Sequence, residues 1–432
     1  MYFHSPPSRC TCCALCFIVS RQACLRLKAS REIPDGREAV RAWWLTGDRV
    51  VTKTSAAALS PNGARLGAGG IILMQSAGDQ RIYILGAGAM GCLVGASLVK
   101  TFGREQVILI DVDEAHVRAI RDRGLRVFTK GRPHTGVETL SISAATPNGI
   151  RKADMEHVIL ATKAYSNAEA LAGLRRDTSL LVLQNGYDER LDPFRNAVYG
   201  VENGFSCQVT EPGCIFSAAR GRFVLGVRTG LDLRATEWAA RLNKAGIAAT
   251  VTCEIDGWLW GRLLIASAFG PATVLRRSLP REAIACRQTR RLVKGLLAEG
   301  LMIVQRKLGE IGQKLRGLPV PPPAMNLALP SEVLSRAVLW ILADGACETA
   351  MLQDVCRDRP TEIDYINGAI VRLAARYGLR VPQHERICTQ IRMLRPPEKT
   401  FAAARTLRAK YYSPRLVLSG VADSDLDRGD RR

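Results

Sequence analysis

Residues 86 to 91 read Gly86-Ala87-Gly88-Ala89-Met90-Gly91, directly after the apolar run Ile82-Tyr83-Ile84-Leu85. A second apolar run, Val107 to Ile110, ends on Asp111. Glycines at this spacing between a strand and a helix suit a nucleotide diphosphate. The first allows a tight turn, the second lets backbone approach the phosphates, and the third lets the helix pack close to the sheet. The N–H groups of Ala89, Met90 and Gly91 lie at the positive end of the helix dipole and lack partners within the helix. Asp111 stands about 20 residues beyond the loop, placed to accept hydrogen bonds from two ribose hydroxyls and to repel a 2′-phosphate. This favours NADH over NADPH. The plainer readings are a tight turn for the glycines and a helix or turn cap for Asp111.

Two more polar residues follow apolar runs. Lys163 comes after Val158 to Thr162, and Asn185 after Leu180 to Leu183. In parallel sheets ligands collect beyond the carboxyl ends of the strands, where both residues fall. The alternatives are a solvated strand end for Lys163 and an ordinary Asn-Gly turn for Asn185-Gly186.

These residues must be positioned by alternating strands and helices. Strands are expected at 81–85, 107–110, 158–162 and 180–183, helices at 92–101 and 166–175, and further strands between 200 and 230 with turns at Pro212-Gly213 and Gly221. Such alternation predicts an α/β domain of the Rossmann type with a parallel sheet. Past Trp258 the apolar period lengthens, predicting helices at 259–275, 287–308, 332–354 and 362–377 and thus an all-α C-terminal domain. The Pro-rich piece 318–323 reads as a rigid spacer between helices. The expected division is an unmatched extension at 1–79, a dinucleotide-binding domain at 80–255, a helical substrate or dimerisation domain at 256–412, and a disordered charged tail at 413–432. Met74, just before the first strand, is a candidate start of translation. The rival for the front segment is a disordered or targeting extension.

Composition narrows the class. At 432 residues and 47% hydrophobic the chain can bury more than one core. Its net charge of +21 comes from scattered Arg without a sustained basic run, which argues against nucleic acid and for an anionic cofactor and substrate. No apolar stretch reaches the ~20 residues that span a bilayer, so no membrane partner is expected. The 13 cysteines read mostly as buried, reduced thiols of a cytoplasmic protein. Cys13-x-x-Cys16 lacks a second ligand pair, so no metal is expected. His116, His157 and His384 have no partners in sequence and read as surface positions.

Several short pieces together resemble the ketopantoate reductase (2-dehydropantoate 2-reductase) family: GAGAMG at 86–91, ATKAY at 161–165, LQNG at 183–186, Trp260 to Leu263, MLQD at 351–354 and TEIDYING at 361–368. Their order and spacing carry the likeness, which covers roughly residues 80 to 395. The resemblance implies a two-domain enzyme that moves hydride from NADPH or NADH to the keto carbon of ketopantoate, giving pantoate in pantothenate and coenzyme A synthesis, with the site between the domains. A homodimer stays an open option. The resemblance also implies that Glu362 supports catalysis, that Asn185 positions the nicotinamide side, and that Lys163 lines the cleft.

The departures are specific. Where the family carries a catalytic Lys as general acid, this chain has Arg262. A guanidinium gives up its proton poorly, yet it can stabilise an oxyanion or clamp a carboxylate, so the expected proton source is Lys163 or a water held by Glu362. One turn later an Asn is replaced by Ala266, and before MLQD a Ser is replaced by Ala350. Loss of polar contacts weakens discrimination for the original substrate. The rival readings are a paralogous reductase for another 2-keto acid and a cofactor-binding protein that has lost its chemistry. Plainer roles also exist: a surface helix residue for Arg262, and for Glu362 a first-turn helix acid behind a Thr361 cap.

Overall fold

The computed structural model describes residues 81–129, 137–228, 232–317 and 348–394. The front extension with Met74 and Cys13-x-x-Cys16, the Pro-rich spacer, most of the helix expected at 332–354 and the charged tail lie outside the described residues.

Four short runs, β1 (Ile82–Leu85), β2 (Val107–Ile110), β6 (His157–Leu160) and β7 (Ser179–Val182), are apolar nearly throughout, as strands covered on both faces must be. With β5 (Ser143–Ala145) and β8 (Val198–Asn203) they form a parallel array, and β11 (Arg222–Gly226) and β12 (Ala248–Val251) extend it in the order β12-β11-β8-β7-β6-β1-β2-β5. Only the β11–β8 pairing is antiparallel. Leu85 of β1 is level with Ile110 of β2 on one side and Leu160 of β6 on the other. The chain leaves β1 in one direction and returns to its other flank, so a crevice opens at the carboxyl ends between β1 and β6.

One face of this sheet is covered by α1 (Ala89–Phe102) and α4 (Leu233–Lys244), with Cys92, Val94, Leu98 and Trp238 in the core. α1 is apolar all round because it is covered twice. Its outer side meets a second sheet, ordered β4-β3-β10-β9, from β3 (Leu125–Thr129), β4 (Glu138–Leu140), β9 (Ser206–Glu211) and β10 (Cys214–Ala219). Leu125, Val127 and Ile215 of that sheet join the same core. The sequence reading anticipated strands here, but not their separation into another sheet, because a register between β3 and β10, 88 residues apart at Arg126 and Cys214, leaves no local trace. α2 (Glu114–Arg123) follows β2, and α3 (Asn167–Leu171) is a shorter helix than expected after β6.

The helical half comprises α5 (Ile255–Arg276), α6 (Pro280–Ala285), α7 (Arg287–Glu310), α8 (Ala350–Cys356), α9 (Ile363–Arg376) and α10 (Pro382–Met393). Leu264 and Ala268 of α5, Leu296 and Val304 of α7 and Ile370 of α9 close one core around α5. α5 is long and apolar enough to cross a membrane by length and composition, yet most of it is buried inside this core.

The three histidines expected at the surface are buried. His116 Nδ1 accepts from the Gly213 N–H at 3.1 Å, His157 lies against the Arg241 guanidinium, and His384 Nε2 donates to the Leu296 carbonyl at 2.9 Å. These partners lie more than 80 residues away, which is why sequence reading could not see them. Burial is the main cause that lowers His157, with help from Arg241, and it lowers His384 as well, each to about 4. The thiol expectation also needs correction. All seven described cysteines are thiols rather than disulfides, but only Cys92, Cys214 and Cys388 are buried and Cys253 is exposed.

Candidate active site

The phosphate-loop signature folds as a tight bend from β1 into α1. A Cβ on Gly91 would lie 1.9 Å from the Gly86 carbonyl oxygen, so only glycine lets the first turn of α1 sit on the bend. Gly88 differs. A Cβ there would meet nothing within 4 Å, so its lack of a side chain serves open space in front of the loop. Gly88 is also the N-cap, with no side chain bonded to the orphan N–H groups of the first turn. An open, amide-lined cradle of this kind fits a dinucleotide diphosphate.

Asp111 holds the bend from the β2 side. Its Oδ2 accepts from the Ala87 N–H at 2.7 Å and its Oδ1 from the Asp113 N–H at 3.0 Å. The turn-capping alternative for Asp111 is therefore part of its role, while Asp113 caps α2 through His116 N at 3.0 Å. A carboxylate has about four lone-pair sites, so both Asp111 oxygens keep capacity for ribose hydroxyls.

At the carboxyl end of β6, Lys163 turns toward the helical half. Its Nζ lies 2.7 Å from Asp354 Oδ2 and 3.1 Å from Glu362 Oε2, and Glu362 Oε1 accepts from the Ala164 N–H at 3.0 Å. Both carboxylates are buried. Glu362 stands at the start of α9, but its side chain bonds across to another element, and Thr361 does not cap the helix. Asp354 completes the cluster, although sequence reasoning had quoted it only as the last letter of MLQD. Its signal was there: an acid eight residues before Glu362, in a mostly apolar helix turn.

Two buried carboxylates share one ammonium, and this sets their titration. Burial disfavours the Lys163 charge, but Glu362 and then Asp354 outweigh it and hold the ammonium above the ordinary lysine range. Burial pushes Asp354 up to about 6; Lys163 opposes this and the Glu362 charge adds to it. The unfolded Asp354 titrates near 3.8, so between about pH 4 and 6 only the folded chain holds its proton. Folding stability contributed by this group is thus full below pH 4 and is lost as pH rises to 6, by on the order of 3 kcal/mol. Asp354→Asn should abolish that loss in denaturant titrations at pH 4, 5, 6 and 7. The comparison with the unaltered chain isolates the effect, because His157 and His384 act in the opposite sense, losing stability as pH falls from 6.5 to 4.

Beyond β7, Asn185 and Gly186 line a pocket with Tyr187, Tyr199, Arg228 and Trp260. Gly186 has φ +89°, and a Cβ there would lie 2.8 Å from the Tyr365 carbonyl oxygen of α9. The Tyr187 N–H donates to that same oxygen at 2.8 Å. Gln184 ties the loop from behind, donating to Thr162 O at 2.8 Å and to Asn167 Oδ1 at 2.7 Å, while Asn167 donates to Asp188. Arg228 is committed to Asp192 and Asp256 at 3.2 and 3.3 Å.

Arg262, on α5, is not part of the lysine cluster. Its guanidinium pairs with Glu202 of β8. Ala266, one turn on, is half-buried, and Ala350 is exposed at the start of α8. The structure therefore brings Lys163 and Glu362 together with Asp354, sets the phosphate loop and Asp111 beside them, and holds Arg262 on a separate carboxylate.

Both halves of the chain are similar to known proteins. Residues 82–230 match the family described as ketopantoate reductase PanE/ApbA, and residues 254–395 match its C-terminal counterpart. The 2-dehydropantoate 2-reductase of Pyrococcus horikoshii is 30% identical over 312 residues, covering 70% of this chain and 93% of that protein. The one from Pyrococcus abyssi is 28% identical over 313 residues, covering 70% and 94%. Among solved structures, 2-dehydropantoate 2-reductase from Geobacter metallireducens GS-15 superposes with a TM-score of 0.58 at 24% identity, covering 72% of this chain and 99% of that one. A ternary structure of D-mandelate dehydrogenase with NADH and anilino(oxo)acetate gives 0.61 at 22% identity, covering 76% and 99%. These structures share the fold.

Proposed function

This chain belongs to the ketopantoate reductase family and is a 2-dehydropantoate 2-reductase-like oxidoreductase, and from that premise we propose that it reduces ketopantoate to pantoate with NADH, a step of pantothenate and coenzyme A synthesis. The observation that carries the reading is the Lys163–Asp354–Glu362 cluster beside an open phosphate loop. The loop amides of Ala89, Met90 and Gly91 would hold the diphosphate, Asp111 the adenosine ribose, and Asn185 the nicotinamide side. The bound nicotinamide supplies the hydride. A lysine ammonium has three donors, and two of them are committed to Asp354 and Glu362. The third is left for the carbonyl oxygen, where it stabilises the developing alkoxide and passes it a proton. Asp354, protonated near pH 6, sits 2.7 Å from Nζ and restores the ammonium. Arg262 would attract the substrate carboxylate, in competition with Glu202.

Oxidation of NADH and of NADPH, followed at 340 nm with ketopantoate, tests the reading; a chain that binds NADH but turns over no keto acid would be a binding protein instead. Arg262→Lys restores the residue type found in the family. Its expected result is a gain of about tenfold in turnover, short of the roughly hundredfold or more of a full general acid because residue 262 is drawn toward Glu202. No gain would leave proton delivery with Lys163 alone.

A second reading, reduction of a 2-keto acid with an apolar side chain, is favoured by the methyl groups of Ala266 and Ala350 where the family resemblance implies polar contacts. A panel including branched and aromatic 2-keto acids separates the two by kcat/KM.

A further inference from the structure

The short turn between α8 and α9, Arg357-Asp358-Arg359-Pro360, reaches back onto the α/β half at two points. Arg357 Nη2 donates to the Val209 carbonyl at 2.5 Å, and Arg359 Nη2 lies 3.4 Å from Asp113 Oδ2. The turn is fixed from within, because the Arg359 N–H donates to Asp354 O at 2.9 Å and Asp358 takes the left-handed conformation with φ +54°. Asp113 follows β2, whereas the segment that carries Arg359 is anchored through Asp354 to Lys163, which follows β6. Between those two strands lies β1, whose carboxyl end is the glycine bend. A guanidinium held from the β6 side and paired on the β2 side is thus placed to reach across the bend, outside the 4 Å that stay clear around a side chain on Gly88. The charge of Arg359 is felt both by Tyr165 beyond β6 and by His116 beyond β2, as a group spanning the gap would be.

We propose that Arg359 is a second anchor for the dinucleotide diphosphate, supplied by the helical half, and that Asp113 is its resting partner. The assignment rests on the reading of the glycine bend as a nucleotide site. The ion pair is long and both side chains are exposed, 52% and 39%, so it is weak and readily exchanged for phosphate oxygens. An arginine fork suits that exchange, since it can meet two phosphate oxygens at once. Asp113 would then set the strength of the anchor by competing for it, and binding of the cofactor would draw the α8–α9 turn, with Asp354 and Glu362 on either side of it, against the α/β half.

The test is equilibrium binding to the full chain, read by nucleotide fluorescence for NADH and NADPH and by competition for ADP-ribose, which has the diphosphate but no nicotinamide. Arg359→Gln should weaken NADH and ADP-ribose alike by about tenfold, the scale of one charge-assisted hydrogen bond, with Arg359→Lys between it and the unaltered chain. Asp113→Asn keeps the capping oxygen for α2 and should leave binding unchanged or tighten it. Both substitutions break the same ion pair, so a purely structural role would weaken binding equally in the two variants, and that result overturns the proposal. Unaltered ADP-ribose affinity in Arg359→Gln overturns it as well. Loss confined to NADPH would place Arg359 at the 2′-phosphate and reject the diphosphate assignment. If the unaltered chain takes up none of the three nucleotides, the nucleotide site itself fails, an outcome distinct from all the others.

Discussion

Lys163→Met should destabilise the protein by about 3 kcal/mol at pH 7, the cost of stranding buried charge, and should reduce turnover at least a hundredfold. The two effects have one origin. Asp354 and Glu362 are buried and both use Lys163 as their cation, with Nζ at 2.7 and 3.1 Å. A methionine of similar length fills the space and leaves two carboxylates facing each other in a low-dielectric site, where only one can readily ionise. Asp354, already at about 6, would rise further and take up a proton at neutral pH. Denaturant titrations should therefore show a smaller deficit at pH 5 than at pH 7, because acid neutralises the stranded pair. NADH binding should fall little, since the phosphate bend is formed by β1 and α1 and held by Asp111. A full loss of nucleotide affinity together with an unchanged stability would contradict this account of Lys163.

Gly88→Ala should have the opposite profile: stability changed by no more than about 1 kcal/mol, since the chain-entropy gain is offset by alanine being the poorer N-cap of α1, and dinucleotide affinity reduced at least tenfold. Gly88 has φ −67° and ψ −170°, an extended conformation open to alanine, and nothing of the protein lies within 4 Å of the added methyl. Chain entropy in the unfolded state then favours alanine. The same methyl would stand where the backbone must approach the phosphates, and no flexible neighbour can make way. Thermal melts paired with an NADH titration decide the matter. Gly91→Ala is the control, because its methyl would collide with the Gly86 carbonyl and disturb the bend itself.

The glycine bend and its flanking strands were legible because the information is local. Strand, turn, helix and the acid after β2 lie within 30 residues, and their apolar runs are uninterrupted. Lys163 and Glu362 were named from short motifs, but their contact was not visible. A pairing between residues 199 apart depends on how the helical half docks on the sheet, and no period in the sequence records that. Asp354 was missed for the same reason, since an acid on a short helix has many ordinary uses. Arg262 shows the converse limit. Its alignment beside the family lysine was readable, whereas its attachment to Glu202 required the register of β8 against β7 and β11. The buried histidines were misplaced because imidazole is polar enough for the surface, and only the distant backbone and side-chain partners brought by the fold make its burial tolerable.

The contacts of the α8–α9 region have a consequence for dissecting the molecule. Asp354, Arg357, Arg359, Glu362 and Tyr365 lie within twelve consecutive residues and grip Lys163, Val209, Asp113, Ala164 and Tyr187 in turn. A fragment ending before residue 350 would carry the whole nucleotide bend yet lack every counter-charge of Lys163. Adding back a peptide of residues 348–394 would then amount to a complementation assay, in which restored turnover measures how tightly this one stitch can rejoin the severed halves.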